Sequence, residues 1–182
     1  MTYSEPRRIK VSGKWARHLF ACSAGYINTV CGGRCCEGSN KIMISLLPDE
    51  AARQESLGFK TRDGMLLPNP KTGKCPHKKP NGLCGLHYSP YKPFGCIASP
   101  FTLNGADTLI VRNRYNMMKC HGHGQPAYVC FRASLDLILR ENAAQVIQQI
   151  ISGKDSIDTE IDGRIYENLK YLDGIKHSRP SY

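Results

Sequence analysis

The sequence predicts an α+β fold: a small, irregular, loop-rich cysteine-cluster domain with short strands, backed by C-terminal helices. Three observations support this class. Nine cysteines in 182 residues exceed what an ordinary core needs. Short strand-like runs alternate with stretches rich in proline and glycine, and the clearest helical periodicity comes last, in residues 133–152.

Local patterns place the first elements. Residues 9–18 are basic and begin as a short strand, and residues 41–46 (KIMISL) and 108–112 (TLIVR) are typical of strands. Residues 48–57 predict a helix, because proline opens the first turn, acidic residues follow it, and Gly58 comes just past the end. Each element is short.

Residues 61–100 are dense in proline, glycine, lysine and asparagine. Such a segment can bury little apolar surface, so something other than a core must offset its loss of conformational entropy. We expect a metal to order it.

The C-terminal part predicts two helices, over residues 133–152 and 162–172, the first ending at Gly153. We expect them to pack on the cysteine core or to support a homodimer. Residues 1–131 then form a basic metal-cluster region and residues 132–182 a helical segment, together one structural domain. One face of the first helix is apolar: Leu135, Ile138, Leu139, Val146, Ile147 and Ile150.

Charge is concentrated in the cysteine-rich part. Residues 1–131 hold 18 Lys and Arg against 7 Asp and Glu, whereas residues 132–182 hold 7 against 8. The excess favours nucleic acid or another polyanion as partner, with a solubilising surface as the alternative. No run of about 18 apolar residues predicts a membrane span. Residues 1–18 resemble no secretory signal, so we expect a cytoplasmic, reducing location.

The cysteine spacing excludes several well-known sites. There is no C-x2-C pair of zinc fingers, no C-x-x-C-H haem attachment and no bacterial ferredoxin run. Long proline-containing loops instead separate Cys75, Cys84 and Cys96. Thiols in a reducing compartment are more often metal ligands than disulfides, and irregular spacing favours an iron–sulfur cluster (a 4Fe–4S cluster) over Zn²⁺.

The ordered motifs resemble the YkgJ-like cysteine-cluster family of zinc- or iron-chelating domain proteins. The similar stretches are Phe20-x-Cys22 with Cys31-Gly-Gly-Arg-Cys35-Cys36, then Cys75, Gly-Leu-Cys84, Lys92-Pro-Phe-Gly-Cys96, and Cys120-His-Gly-His-Gly. Two departures are the longer gap before Cys31 and one extra glycine before Cys35. The resemblance implies eight ligands: Cys22, Cys31, Cys35, Cys36, Cys75, Cys84, Cys96 and Cys120.

Three more residues are candidate ligands. His121 and His123 follow the last cysteine of the motif and can replace a weak ligand. Cys130 lies in the apolar stretch AYVCF, where a buried core thiol is the simplest interpretation and an additional ligand the alternative.

Basic and aromatic residues predict contacts to an anion or to nucleic acid, with a solvated terminus or a cover over the cluster as the alternatives. They form an N-terminal arm and a second group in the GLHYSPYKPFG stretch: Arg7, Arg8, Lys10, Lys14, Arg17, His87, Tyr88, Tyr91 and Lys92.

The function we expect is that of a metal-binding protein with a basic docking surface. The alternative is a metal-dependent enzyme that performs redox or group-transfer chemistry. No motif identifies a catalytic residue.

Overall fold

A computed structural model describes residues 5–36, 44–87 and 89–174, with the side chains of Cys36 and of residues 171–174 outside that description. The strands in the described residues are β1 (Arg7–Ser12), β2 (Leu19–Phe20), β3 (Ile44–Ser45), β4 (Thr61–Arg62), β5 (Met65–Leu66), β6 (Phe101–Leu103), β7 (Thr108–Val111), β8 (Gln125–Pro126) and β9 (Ser156–Ile161).

The α-helices are equally short. They are α1 (Gly13–Ala16), α2 (Ala24–Tyr26), α3 (Glu50–Ser56), α4 (Phe94–Ile97), α5 (Ala127–Cys130), α6 (Arg132–Leu139), α7 (Ala143–Ile151) and α8 (Gly163–Gly174). A π-helical turn covers Ile27–Cys31, and 3₁₀ turns cover Arg34–Cys36, Asn113–Met117 and Arg140–Asn142. Mixed helices and small sheets confirm the α+β class.

The largest sheet has the strand order β6-β7-β1-β9. β1 pairs in parallel with β7 and antiparallel with β9, so the basic N-terminal segment is an internal strand of the sheet. β2 and β8 form a two-stranded sheet, and β3, β5 and β4 form a third. The strand predicted at residues 41–46 is described only from Ile44 onward, and residues 41–43 lie outside the described part.

One large hydrophobic core joins the two ends of the chain. Ile9 of β1, Phe20 of β2, Leu135 of α6 and Ile150 of α7 are all buried within it. Each fully buried aliphatic side chain contributes about 1.5–3 kcal/mol relative to an exposed one. The C-terminal helices therefore pack on the same core as the N-terminal strands.

The single helix predicted over residues 133–152 is wrong in one respect. α6 ends at Leu139, and α7 begins only at Ala143. Between them Arg140 has φ 49°, a left-handed conformation that helices cannot contain. The break allows the apolar faces of both helices to point into the large core.

β9 was not among the predicted elements, although its residues alternate between buried and exposed positions. The helix predicted over residues 162–172 is confirmed by α8. No helix within the described ranges is long and apolar enough to cross a membrane.

Residues 61–100 bury more than their composition predicts. Met65, Leu66 and Phe94 are all buried. Asp63 and Gly64, with φ of 51° and 69°, make the tight turn between β4 and β5. The expectation that the segment lacks apolar packing of its own is therefore wrong.

Candidate metal centre

A short backbone ladder brings distant cysteines together. β2 pairs with β8, with Phe20 opposite Gln125. Just after β2, Ala21 N–H donates to the Cys120 carbonyl at 2.9 Å, and Gly122 N–H donates to the Leu19 carbonyl at 2.9 Å. Cys22 is the next residue after Ala21, and these bonds place it near Cys120.

Gly124 makes the return of the chain possible. It has φ 82°, and a Cβ atom there would overlap the carbonyl oxygen of Phe20. The segment after Cys120 can therefore fold back over β2 only with glycine at this position. Ala127 N–H then donates to the His18 carbonyl at 2.7 Å and starts α5, the helix that ends at Cys130.

Cys22 and Cys130 interact directly. The two side chains are hydrogen-bonded, and the Cys130 Sγ atom lies 4.0 Å from the Cys22 carbonyl oxygen. The hydrogen bond from Cys22 lowers the pKa of Cys130 to about 7. The same bond, together with burial, raises the pKa of Cys22 far above that of an ordinary thiol.

Cys120 and Cys31 extend this pair. Burial raises the pKa of Cys120, and the nearby Cys22 and Cys31 thiols raise it further. Cys31 ends the π-helical turn that follows α2, and that region is fixed to the Cys120 segment because the Tyr26 hydroxyl donates to the Lys119 carbonyl at 2.7 Å. We call Cys22, Cys31, Cys120 and Cys130 the Cys22 cluster.

The Cys22 cluster is an assembly of interacting thiols rather than a closed ligand set. In the described part of the chain, no three or more His, Cys, Asp or Glu side chains have an arrangement that could hold a metal ion as they stand. The donor set is nevertheless chemically suitable, since thiolates are the ligands of structural zinc and of iron–sulfur clusters. Binding would require loss of the thiol protons and rotation of the side chains.

Cys130 is partly buried and packs against the large core, in keeping with the core-thiol interpretation, and its side chain also interacts with Cys22. The apolar neighbours that suggested a core position are those of a short helix: Ala127 of α5 is buried, whereas Val129 is 47% exposed.

The remaining cysteines lie in two other places. Cys75 is buried in a small cluster with Ile44, Leu46 and Leu66, and Cys96 packs against this cluster. In the same loop region, the Sγ atom of Cys84 accepts a hydrogen bond from the Leu86 N–H at 3.4 Å. Cys35 packs against the large core and acts electrostatically on Tyr115, and the side chain of Cys36 lies outside the described residues.

The candidate histidine ligands have other surroundings. His121 lies with its Nε2 atom 3.2 Å from Nδ1 of His18, and its ring packs on Phe20. Burial, then the neighbouring His121, lowers the pKa of His18. His123 is exposed. His77, two residues after Cys75, is buried, and its Nε2 atom lies 2.8 Å from Oε1 of Gln54. This hydrogen bond gives His77 a structural role.

One member of the second group of predicted anion contacts, Lys92, lies close to Cys22. Lys92 is near enough to Cys22 to oppose the rise in its pKa, and it also lowers the pKa of His87, where burial has the larger effect. Tyr91 is 46% exposed, and Tyr88 lies outside the described residues. Lys92 is therefore placed to offset the negative charge of thiolates.

The predicted N-terminal basic arm is not an arm. Arg7, Arg8 and Lys10 belong to β1, where Arg8 is opposite Glu160 and Lys10 is opposite Asp158 in β9. Cross-strand neighbours of opposite charge attract each other and weaken the field offered to a polyanion. Arg17 is likewise compensated, by an ion pair with Asp155. Arg7 stacks on Tyr166 at 4.8 Å, and Lys14 is exposed.

Comparison with protein-family models, curated proteins and solved structures gives no match to the chain. The resemblance to the YkgJ-like family, with the ligand set it implies, stays a prediction.

Proposed function

We propose that the chain is a metal-binding protein whose first centre is the Cys22 cluster. One observation carries the proposal: the ladder between β2 and the segment containing Cys120 brings thiols from separate parts of the chain together. Because backbone hydrogen bonds hold Cys22, Cys120 and the start of α5, folding has already met most of the entropic cost of gathering the ligands.

The electrostatic surroundings support this role. Four thiolates around a divalent ion carry a net charge of about −2. Lys92 lies near Cys22 and supplies a compensating positive charge. A cation beside a thiol favours the thiolate form, which is the form that binds metals.

We favour an iron–sulfur cluster over Zn²⁺. Cys22, Cys31, Cys120 and Cys130 lie in separate elements and include no C-x2-C pair, a spacing more common among cluster ligands than among zinc ligands. An iron–sulfur cluster would supply electron transfer, and zinc would supply structural stability. The need for reduced thiols fits the predicted cytoplasmic location.

A second centre in the region of Cys75, Cys84 and Cys96 extends the proposal. Cys75 and Cys96 share the small apolar cluster, and the N–H directed at Cys84 Sγ is the kind of hydrogen bond that stabilises a ligating sulfur. This part depends on the family resemblance for its remaining ligands, Cys35 and Cys36.

The test is purification of the full chain without oxygen, followed by measurement of metal, acid-labile sulfide and visible absorption. Iron with sulfide, and a broad band near roughly 400 nm, would support a cluster. Zinc without sulfide at about one ion per occupied centre would support a structural tetrathiolate site. A chain that contains neither metal, and takes up neither when reconstituted under reducing conditions, would refute the proposal.

A further inference from the structure

A polar cavity lies between residues 28–32 and 69–82, and Cys75 is the one proposed metal ligand among the described residues that line it. Its volume is about 470 Å³, within the range of about 300–1,000 Å³ typical of small-molecule sites. None of the described residues that line it is acidic. The lining side chains that can donate hydrogen bonds include three lysines and three asparagines: Lys74, Lys78, Lys79, Asn28, Asn69 and Asn81.

The cavity is built from tight turns, which fix its shape. Lys79 N–H donates to the Leu83 carbonyl at 2.9 Å, and Gly82 N–H donates to the Lys79 carbonyl at 3.0 Å. The two sides of the cavity touch through glycines. A Cβ atom on Gly33 would overlap the Gly82 carbonyl oxygen, and one on Gly82 would lie 2.8 Å from the Gly32 carbonyl oxygen.

Two of the asparagine side chains, those of Asn69 and Asn81, already use their oxygen atoms as acceptors within the protein. The Oδ1 atom of Asn69 accepts the Lys71 N–H at 2.9 Å, and the Oδ1 atom of Asn81 accepts the Leu83 N–H at 3.1 Å. Because their oxygens are engaged in turns, the groups that remain for a ligand are the Nδ2 N–H donors. These amide donors and the lysine ammonium groups beside them suit an anion.

Local charge supports the same ligand. Lys74 and Lys79 are exposed, and Lys78 is partly buried. A concave site lined by charges of one sign concentrates the electrostatic field and attracts counter-charged ligands. Lysine binds phosphate as a point charge without requiring a planar, two-pronged geometry.

We propose that this cavity binds the phosphate group of a small phosphorylated molecule. The site differs from the predicted anion contacts in β1 and near Lys92. It does not depend on metal in the Cys22 cluster, since none of the four cysteines of that cluster lines it.

The test uses inorganic pyrophosphate as the probe and isothermal titration calorimetry with the full chain. Lys79→Gln removes one charge from the cavity, and Lys154→Gln, an exposed position on the turn before β9, is the matched control. We expect saturable binding that Lys79→Gln weakens at least about ten-fold, as for loss of one charge-assisted hydrogen bond. Lys154→Gln should leave the binding unchanged.

Three results would overturn the proposal. The first is the absence of saturable pyrophosphate binding. The second is an affinity for pyrophosphate that Lys79→Gln and Lys154→Gln weaken equally. That result would indicate diffuse attraction to a basic surface, or heat that comes from metal chelation. The third comes from a parallel titration with a short single-stranded oligonucleotide: if only the oligonucleotide binds in a manner that depends on Lys79, the ligand is a nucleic acid strand.

Discussion

The side chains of Cys22 and Cys130 are hydrogen-bonded to each other although 108 residues separate them in the sequence. The interaction lowers the pKa of Cys130 and raises that of Cys22, so Cys130 is the thiol of the pair that ionises first. This difference gives the metal-free chain a measurable signature.

In the metal-free, reduced chain, alkylation of Cys130 by iodoacetamide should increase with pH with a midpoint at about 7. Cys130 is protonated below that pH and a nucleophilic thiolate above it. Cys22→Ala removes the side chain that lowers the pKa of Cys130, so the midpoint should rise towards about 8.5, the value of an ordinary thiol. Mass spectrometry of the peptide containing Cys130 gives the rates, with Val129→Ala as the control. The same midpoint in wild type and Cys22→Ala would contradict the pairing.

Gly124 and Gly122 form a matched pair of substitutions. Both have positive φ, 82° and 85°, but only at Gly124 would a Cβ atom overlap backbone, whereas nothing lies within 4 Å at Gly122. Gly122→Ala should lower the free energy of unfolding by about 1–2 kcal/mol, the left-handed penalty alone. Gly124→Ala should cost clearly more, because β2 must move away from residue 124. Urea denaturation of both variants measures the difference, and equal costs would show that the ladder is not tight there.

Glu50 connects α3 to the start of α4. It is buried, and its two carboxylate oxygens accept N–H groups from Leu47 and Phe94, each at 2.7 Å. Glu50→Gln keeps one acceptor and turns an NH₂ group towards the other donor, so we expect a loss of about 1–3 kcal/mol in unfolding free energy. Glu55→Gln, on the exposed side of the same helix, should cost less than about 0.5 kcal/mol. Similar losses in both variants would refute this role for Glu50.

Arg140 interrupts the C-terminal helices in a conformation that suits glycine better. Arg140→Gly should therefore raise the free energy of unfolding by up to about 1 kcal/mol. Loss of the ion pair between Arg140 and Asp162, at 3.3 Å, should reduce this gain slightly. Arg132→Gly, at the first residue of α6, also removes an ion pair, that with Asp136, but relieves no strain, so it should lower the free energy of unfolding by up to about 1 kcal/mol. A loss of stability in Arg140→Gly would show that the side chain matters more than the backbone strain. Thermal unfolding distinguishes the two outcomes.

Much of the fold could be predicted because its signals are local. The strand around Thr108 and the helix that contains Ile165 and Leu169 follow from short hydrophobic patterns. The break at Arg140 could not be predicted in this way, because the apolar periodicity continues across it and only tertiary packing imposes the left-handed conformation. β9 carried a weak signal, the alternation of Ile157, Thr159 and Ile161.

The candidate site was predicted less completely for the same reason. Cys22, Cys31 and Cys120 were predicted as ligands from the family resemblance, but their proximity depends on the pairing of Phe20 with Gln125, which is a long-range contact. The apolar neighbours of Cys130 indicated its packing against the core, but no local pattern indicated its proximity to Cys22. The basic run KTGKCPHKK was a local signal for the lysine-lined cavity that the sequence analysis did not use.

The most direct test of the proposed centre is the metal content of Cys130→Ser beside that of Val129→Ser, each purified without oxygen. Val129 is the exposed neighbour of Cys130 on α5, so both variants introduce the same residue into the same short helix. We predict that Cys130→Ser loses the metal of one centre, whereas Val129→Ser retains the wild-type stoichiometry. Wild-type metal content in Cys130→Ser would contradict the assignment of Cys130 to the centre and leave the ligands implied by the family resemblance as the better description.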